Sequence, residues 1–303
     1  GRYELRDELG RGGVGAVYRA LDPTTGREVA VKVLLAAARL EAEDLARFRV
    51  EAAAGQRLRH PGIVAVRDAG VADGVQFIVM DLAPGGSLRQ RMKAGPLPPQ
   101  EAARLIEQLA RALSYAHAQG VLHRDIKPGN VLLGPKGEPL LTDFGMAQLV
   151  GAERLTHTGD VLGTPHYMPP EQATGARSQH GPWTDVYALG VTLYELLTGR
   201  HPFVGDSALA VIEALLRSEP PRPSTLCPGL DPALEEICLR AMARTPARRH
   251  VTAEVATDVA ITSASFIDVL SVAITFATIR DCPGTVTKMS EGLFAKLNAL
   301  VST

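Results

Sequence analysis

Residues whose types suit phosphoryl transfer lie close together near the middle of the chain. The stretch 123–130 reads HRDIKPGN, and the tripeptide DFG begins at Asp143. A phosphoryl group in transfer develops charge rather than new covalent demands, so catalysis needs metal ligands, cations and a positioned hydroxyl. Asp125 is suited to orient that hydroxyl and take its proton, and Lys127 places a cation beside it. Asn130 and Asp143 offer oxygen ligands of the kind that magnesium prefers.

These motifs resemble the catalytic loop and the magnesium motif of protein kinases. The lysine two residues after the aspartate resembles the pattern of the serine/threonine branch of that family. The resemblance implies an α+β, bilobal fold with an N-terminal antiparallel sheet plus one helix and a mainly helical C-terminal lobe. It also implies ATP as the phosphate donor, Mg²⁺ with Mn²⁺ as an alternative, and serine or threonine hydroxyls of proteins as acceptors. The Ala- and Arg-rich composition is typical of a bacterial member.

A glycine-rich pattern, GxGxxG, occupies Gly10, Gly12 and Gly15. The pattern alone is weak, because dinucleotide-binding folds carry it as well. In those folds the glycine turn opens a helix, whereas here Val17 and Tyr18 continue as strand and a second strand returns through the VAVK that ends at Lys32. The context therefore favours a β-hairpin whose glycines let backbone cover phosphates.

The resemblance assigns the nucleotide site. Lys32 would hold the α- and β-phosphates and form an ion pair with Glu51, on a helix predicted over residues 42–58. The hinge is expected at Met80, Asp81 and Ala83, with Val17, Ala30 and Leu132 around the adenine ring. Gly55 departs from the family pattern, in which many members carry an apolar residue that packs on the DFG phenylalanine. Glycine weakens a helix interior, so we expect this helix to be loosely docked.

After the DFG the chain is polar through residue 167 and contains three threonines. Thr164 matches the family threonine that contacts the catalytic aspartate and lysine. Arg124, next to Asp125, matches the residue that binds an activation-loop phosphate through bidentate pairing. We therefore expect Thr156 and Thr158 to be autophosphorylation sites that activate the enzyme, with a homodimer allowing phosphorylation in trans.

Three residues match structural positions of the family. Glu171 corresponds to the glutamate of the alanine-proline-glutamate pattern, although Pro169 replaces the alanine, and Arg249 corresponds to the arginine that pairs with it. Asp185 opens a helix that is apolar on nearly all sides through Leu197, so its charge should be paired. In the family this aspartate anchors the backbone of the catalytic loop.

Composition limits the remaining possibilities. A net charge of −1 gives no basic field for nucleic acid or for a membrane surface. The three cysteines lack C-x-x-C spacing, which favours a reducing, cytoplasmic compartment. The chain opens without methionine, so we expect it to be a piece of a longer protein. That longer protein could carry a membrane anchor outside this piece.

Arg and Pro become rare after residue 250, which indicates a boundary. We assign residues 1–262 to the kinase domain (1–80 N-lobe, 81–83 hinge, 84–262 C-lobe) and 263–303 to a tail of unknown role. Residues 259–279 are apolar enough to suggest a membrane span, but a central Asp268 costs about 2.5–3.5 kcal/mol on insertion, so no membrane contact is expected. Residues 290–301 show a leucine stripe, either packed on the large lobe or forming an interaction surface.

Two other functions have to be weighed against a protein kinase. A catalytically dead scaffold of the same fold is disfavoured, because Lys32, Asp125, Asn130 and Asp143 are all intact. A small-molecule phosphotransferase of related fold would not need an activation segment with Thr164.

Overall fold

The structure is a computed structural model that describes residues 2–12, 15–34, 52–144, 165–175 and 180–249. The N-terminal part is a five-stranded antiparallel sheet in the order β1-β2-β3-β5-β4. Its strands are β1 (Glu4–Arg11), β2 (Ala16–Asp22), β3 (Arg27–Leu34), β4 (Val66–Ala72) and β5 (Val75–Asp81). The part that follows is mainly helical, so the predicted α+β bilobal class is confirmed.

Alternation along β3 decides which residues face the helical lobe. Successive side chains of a strand point to opposite faces, so Ala30 and Lys32 share one face and Val29 and Val31 share the other. Ala30 packs in an apolar cluster with Met80, its partner across the β3–β5 pair. Lys32 lies opposite Val17 in the β2–β3 pair and is 8% exposed. One sheet face therefore carries both the apolar floor and the lysine.

The helical elements, named here in chain order, are α1 (52–57), α2 (Leu88–Arg91), α3 (Pro99–Ala118), α4 (Pro170–Ala173), α5 (Pro182–Thr198), α6 (Ala208–Arg217), α7 (Pro232–Ala241) and α8 (Pro246–Arg249). A short hairpin of β6 (Val131–Leu133) and β7 (Pro139–Leu141) lies between α3 and α4.

Helix α5 is the centre of the large lobe. Its residues are buried from Thr184 to Leu197, as the all-round apolar pattern predicted. A Cβ at Gly190 would lie 2.7 Å from the Cβ of Ala241, so α5 and α7 approach too closely for any side chain there. α3 packs against α5 with a stripe that includes Leu105, Leu109 and Leu113.

Two elements differ in extent from what their sequence patterns favour. The apolar run over 63–68 favours a strand, but β4 begins at Val66 because the preceding residues bond to the large lobe. The Val64 amide donates to the Leu141 carbonyl at 2.9 Å, and the Leu141 amide donates to the Gly62 carbonyl at 2.9 Å. The pattern over 232–244 favours a helix, but α7 ends at Ala241, where Met242 forms its C-cap.

Other predicted segments lie outside the described residues. They include most of the helix predicted over 42–58, the membrane-span candidate 259–279 and the whole tail 263–303. Among the helices that the structure does describe, none combines the length and hydropathy needed to cross a membrane.

Candidate active site

The catalytic loop holds its aspartate in a fixed orientation. The ammonium of Lys127 donates to both carboxylate oxygens of Asp125, at 2.9 and 2.8 Å. The side-chain amide of Asn130 donates to the Asp125 carbonyl and to its Oδ2, both at 2.8 Å. A 3₁₀ turn over Pro128–Asn130 makes this possible, because it brings residue 130 back over residue 125. Asn130 thus holds Asp125 through its amide nitrogen.

Asp185 anchors this loop from below and is fully buried. Its two oxygens accept the backbone amides of His123 at 2.8 Å and Arg124 at 2.6 Å. The ring of His117 approaches Oδ2 at 2.7 Å through Nε2. Burial alone would raise the pKa of Asp185, but the His117 and backbone hydrogen bonds hold that pKa below its ordinary value.

The anchor also explains the backbone of Arg124, whose φ of 65° lies in the left-handed region that non-glycine residues rarely adopt. The hydrogen bond that the Arg124 backbone N–H donates to Asp185 holds this conformation. Sequence reasoning assigned the backbone anchoring to Asp185 through the family resemblance, but it missed His117. The signal available was a histidine in the last turn of the buried helix α3, together with a buried aspartate that needed partners.

The side of the site where the resemblance implies the nucleotide phosphates is built from both lobes. Lys32 of β3 forms an ion pair with Asp143 at 2.8 Å between Nζ and Oδ1. Asp143 has a φ of 66°, and the residue before it is tied to the catalytic loop. The Thr142 amide donates to the Asn130 carbonyl at 3.1 Å. The Thr142 carbonyl oxygen lies 2.9 Å from Nε2 of His123. The structure thus brings Lys32, Asp143 and Asn130 to one place.

The donor set fits a hard divalent cation. Asp143 supplies a carboxylate and Asn130 an amide oxygen, while nucleotide phosphates and waters usually complete a magnesium shell. Within the described ranges no group of three or more His, Cys, Asp or Glu side chains is arranged to hold a metal ion. A site with one carboxylate and one amide is consistent with that finding.

The glycines of the hairpin have different roles. A Cβ at Gly10 or Gly12 would meet nothing within 4 Å, so packing does not require glycine at these two positions. A Cβ at Gly15 would fall 2.0 Å from the Val33 carbonyl oxygen, so Gly15 is required by the close approach of β2 and β3. The predicted adenine contacts Val17, Ala30, Met80 and Leu132 lie in or against one apolar cluster.

The hinge carries an ion pair that sequence reasoning missed. Arg67 of β4 donates to both carboxylate oxygens of Asp81, at 2.6 and 2.7 Å. The Asp81 amide donates to the Ala65 carbonyl at 3.0 Å. These bonds fix the strand that leads to Ala83.

Glu171 and Arg249 form a buried bidentate pair, with nitrogen to oxygen distances of 2.7 and 2.8 Å. Their side chains are 2% and 0% exposed, and the guanidinium lies 4.8 Å from the ring centroid of Tyr187. This pair ties α4, at the end of the activation segment, to α8. Four further predicted residues, Glu51, Thr156, Thr158 and Thr164, lie outside the described residues.

Comparison with known proteins gives one family model and several relatives. The model of the protein kinase domain matches residues 3–258. The serine/threonine-protein kinase PrkC of Bacillus subtilis is 41% identical over 255 residues, which are 84% of this chain and 39% of PrkC. PknL of Mycobacterium tuberculosis is 40% identical over 253 residues, 83% of this chain and 63% of PknL. PknA of the same species is 42% identical over 256 residues, 82% of this chain and 58% of PknA. The chain therefore spans less than two thirds of each of these relatives.

Proposed function

This chain belongs to the protein kinase family, and on that premise we propose that it transfers the γ-phosphate of ATP to serine and threonine hydroxyls of proteins. The observation that carries the proposal is the oriented carboxylate of Asp125, held by Lys127 and Asn130 within hydrogen-bond distance. A carboxylate so held can align an acceptor hydroxyl with the phosphate that it attacks.

Each residue of the site has a separate task in this transfer. Asp125 orients the acceptor hydroxyl and takes its proton, and Lys127 offsets charge on the transferred phosphoryl group. Lys32 binds the α- and β-phosphates. Asn130 and Asp143 would hold Mg²⁺ or Mn²⁺, which when bound neutralises charge on the phosphate oxygens. The hinge backbone of Asp81 and Ala83 would receive the adenine edge.

Activation by autophosphorylation is part of the proposal. The Nε of Arg124 is buried and makes no hydrogen bond within the described part of the chain. A buried guanidinium nitrogen without a partner is costly, and a phosphothreonine with three acceptor oxygens would satisfy it. We assign that role to Thr156 or Thr158, phosphorylated in trans by a second copy of the chain.

The proposed setting is the cytoplasm, where ATP is supplied and thiols stay reduced. Cys227 and Cys238 are both free, which agrees with a reducing compartment. The proposed domain is 1–262, and the acceptors are proteins rather than nucleic acid.

The decisive experiment is incubation of the chain with labelled ATP and magnesium, with and without generic protein acceptors, followed by phosphoamino-acid analysis. Label on serine or threonine is expected. Asp143→Asn should abolish transfer with the fold intact, because a neutral amide binds the metal more weakly than a carboxylate. Glu213→Gln, which alters only an exposed ion pair on α6, serves as the matched control. Wild-type turnover in Asp143→Asn at physiological magnesium would show that the metal site is wrongly assigned.

A further inference from the structure

A pair of stacked histidines lies beside the turn that follows Thr164. Residues 165–167 form one 3₁₀ turn that packs on α5 and α6. His166 of this turn and His201, just after α5, have ring centroids 4.1 Å apart and an interplanar angle of 3°. His201 also meets the ring of Tyr167 edge-on, at 5.4 Å and 90°. Two aromatic side chains of the turn are thus held by one histidine.

The other side of the turn is held by a polar network on α5. Glu195, which is 4% exposed, accepts from the Arg89 guanidinium at 2.6 Å and from the Tyr167 hydroxyl. Arg89 also donates to the Tyr167 hydroxyl. Glu195 is therefore already satisfied by two donors. The position of Tyr167 depends on α2, on α5 and on the edge contact with His201.

The surroundings of the histidine pair favour a neutral His201. His166 lies with Nδ1 3.0 Å from the Phe203 carbonyl, and because a carbonyl only accepts, that nitrogen carries the proton. His201 has a buried Nδ1 without a hydrogen bond in the described part of the chain. Its Nε2 is 3.8 Å from Oε1 of Glu195, which is beyond hydrogen-bond distance.

A proton on His201 would add a partly buried charge beside this network. A cationic His201 would repel the Arg89 guanidinium and compete with it for Glu195. Burial lowers the pKa of His201, Glu195 opposes that shift, and His166 and Arg89 add to it. A lowered pKa means that the packing is fully stable above the ordinary histidine pKa. Its stability is lost as the pH falls below that value.

We propose that His166 and His201 are positioning residues for the acceptor: the stack formed with a neutral His201 holds the 165–167 turn in its binding conformation, and protonation of His201 releases it. The inference rests on the proposed function: the turn directly follows Thr164, and the family resemblance places that threonine at the catalytic aspartate and lysine that the acceptor hydroxyl would meet. The proposed ATP site contains none of these residues, so the affinity for ATP should not follow the same titration.

The test is a pH profile of kcat and of both KM values, with myelin basic protein as acceptor. Between pH 7.5 and 5.5 the acceptor KM should rise by up to about tenfold, the limit set by a released histidine with a pKa of about 6.5. The ATP KM should change little over the same range. In His201→Phe, which keeps an aromatic ring but cannot be protonated, the acceptor KM should be flat with pH.

A control and a second readout make the result decisive. His60→Gln is the matched control. It removes a histidine that is distant in sequence from the pair and whose pKa is also lowered by burial, and its acceptor KM should depend on pH as in wild type. His201→Gln replaces the Phe variant if that variant does not fold. In NMR titrations of wild type, the His201 ring should titrate below the ordinary histidine value.

Each outcome decides between the claims. An acceptor KM that follows pH equally in wild type and in the His201 variants, or a His201 ring that does not titrate below the ordinary histidine value, overturns the positioning role alone. A chain that transfers no phosphate at any pH overturns the proposed function, and the acceptor role of the pair with it.

Discussion

Gly55 leaves space where the helix that carries it meets the DFG phenylalanine, and filling that space should stabilise the helix. Gly55 is buried in α1, and an added Cβ would meet only Val66 Cγ2, at an ordinary 3.6 Å. It borders a cavity of about 30 Å³, which Phe144 and Ile78 also line. A methyl group therefore fits without displacing a neighbour.

The magnitude follows from two contributions. Replacing a helix-interior glycine by alanine gains about 1 kcal/mol, and one buried methyl gains about 0.8 kcal/mol. Gly55→Ala should thus raise the free energy of unfolding by about 1–2 kcal/mol and the Tm by a few degrees. About 1.4 kcal/mol shifts a docked-to-undocked equilibrium of this helix tenfold. Gly55→Leu, which reaches further into the cavity, should raise basal activity in the absence of a partner or of activation-loop phosphate.

The assay is urea unfolding together with initial rates of phosphate transfer by unphosphorylated protein. Gly190→Ala is the matched control, because its Cβ would lie 2.7 Å from that of Ala241 and should destabilise the fold. A gain in both glycine variants would mean that space at Gly55 is not the cause. Unchanged activity in Gly55→Leu, with an unchanged Lys32–Glu51 distance in nucleotide-bound crystals, would refute the loosely docked helix.

Three other predictions use the same protein. Lys32→Met should remove turnover more than nucleotide affinity, and lost affinity with turnover retained at saturation would contradict its role in transfer. Arg249→Met should lower the free energy of unfolding by about 3–5 kcal/mol in urea titrations, because it leaves the buried Glu171 charge unpaired; a loss below about 1 kcal/mol would mean that the pair is dispensable. Thr156→Ala combined with Thr158→Ala should abolish activation after incubation with ATP and magnesium. Mass spectrometry of the wild type should find phosphate on at least one of the two, and full activity of the double variant would exclude them as switches.

The sequence by itself determined the family and the local chemistry. The family match confirms the resemblance that the HRDIKPGN and DFG motifs indicated. Asp125, Lys127 and Asn130 are close in sequence, so their proximity was expected, while the hydrogen bonds among them came from the structure. The apolar pattern likewise predicted α5, because a helix that is apolar on nearly all sides has to be buried.

Only the tertiary structure decided which distant residues share a contact. His117 and Asp185 are 68 positions apart, Arg89 and Glu195 are 106 apart, and neither pair belongs to a local pattern. β4 begins at Val66 for the same reason, since the preceding backbone bonds to β7 of the other lobe. The sequence shows that a charged or polar side chain in a buried segment needs a partner, but it does not show which residue that partner is. Packing of α2, α3 and α5 selects that partner, because the folded chain brings together residues that local spacing keeps apart.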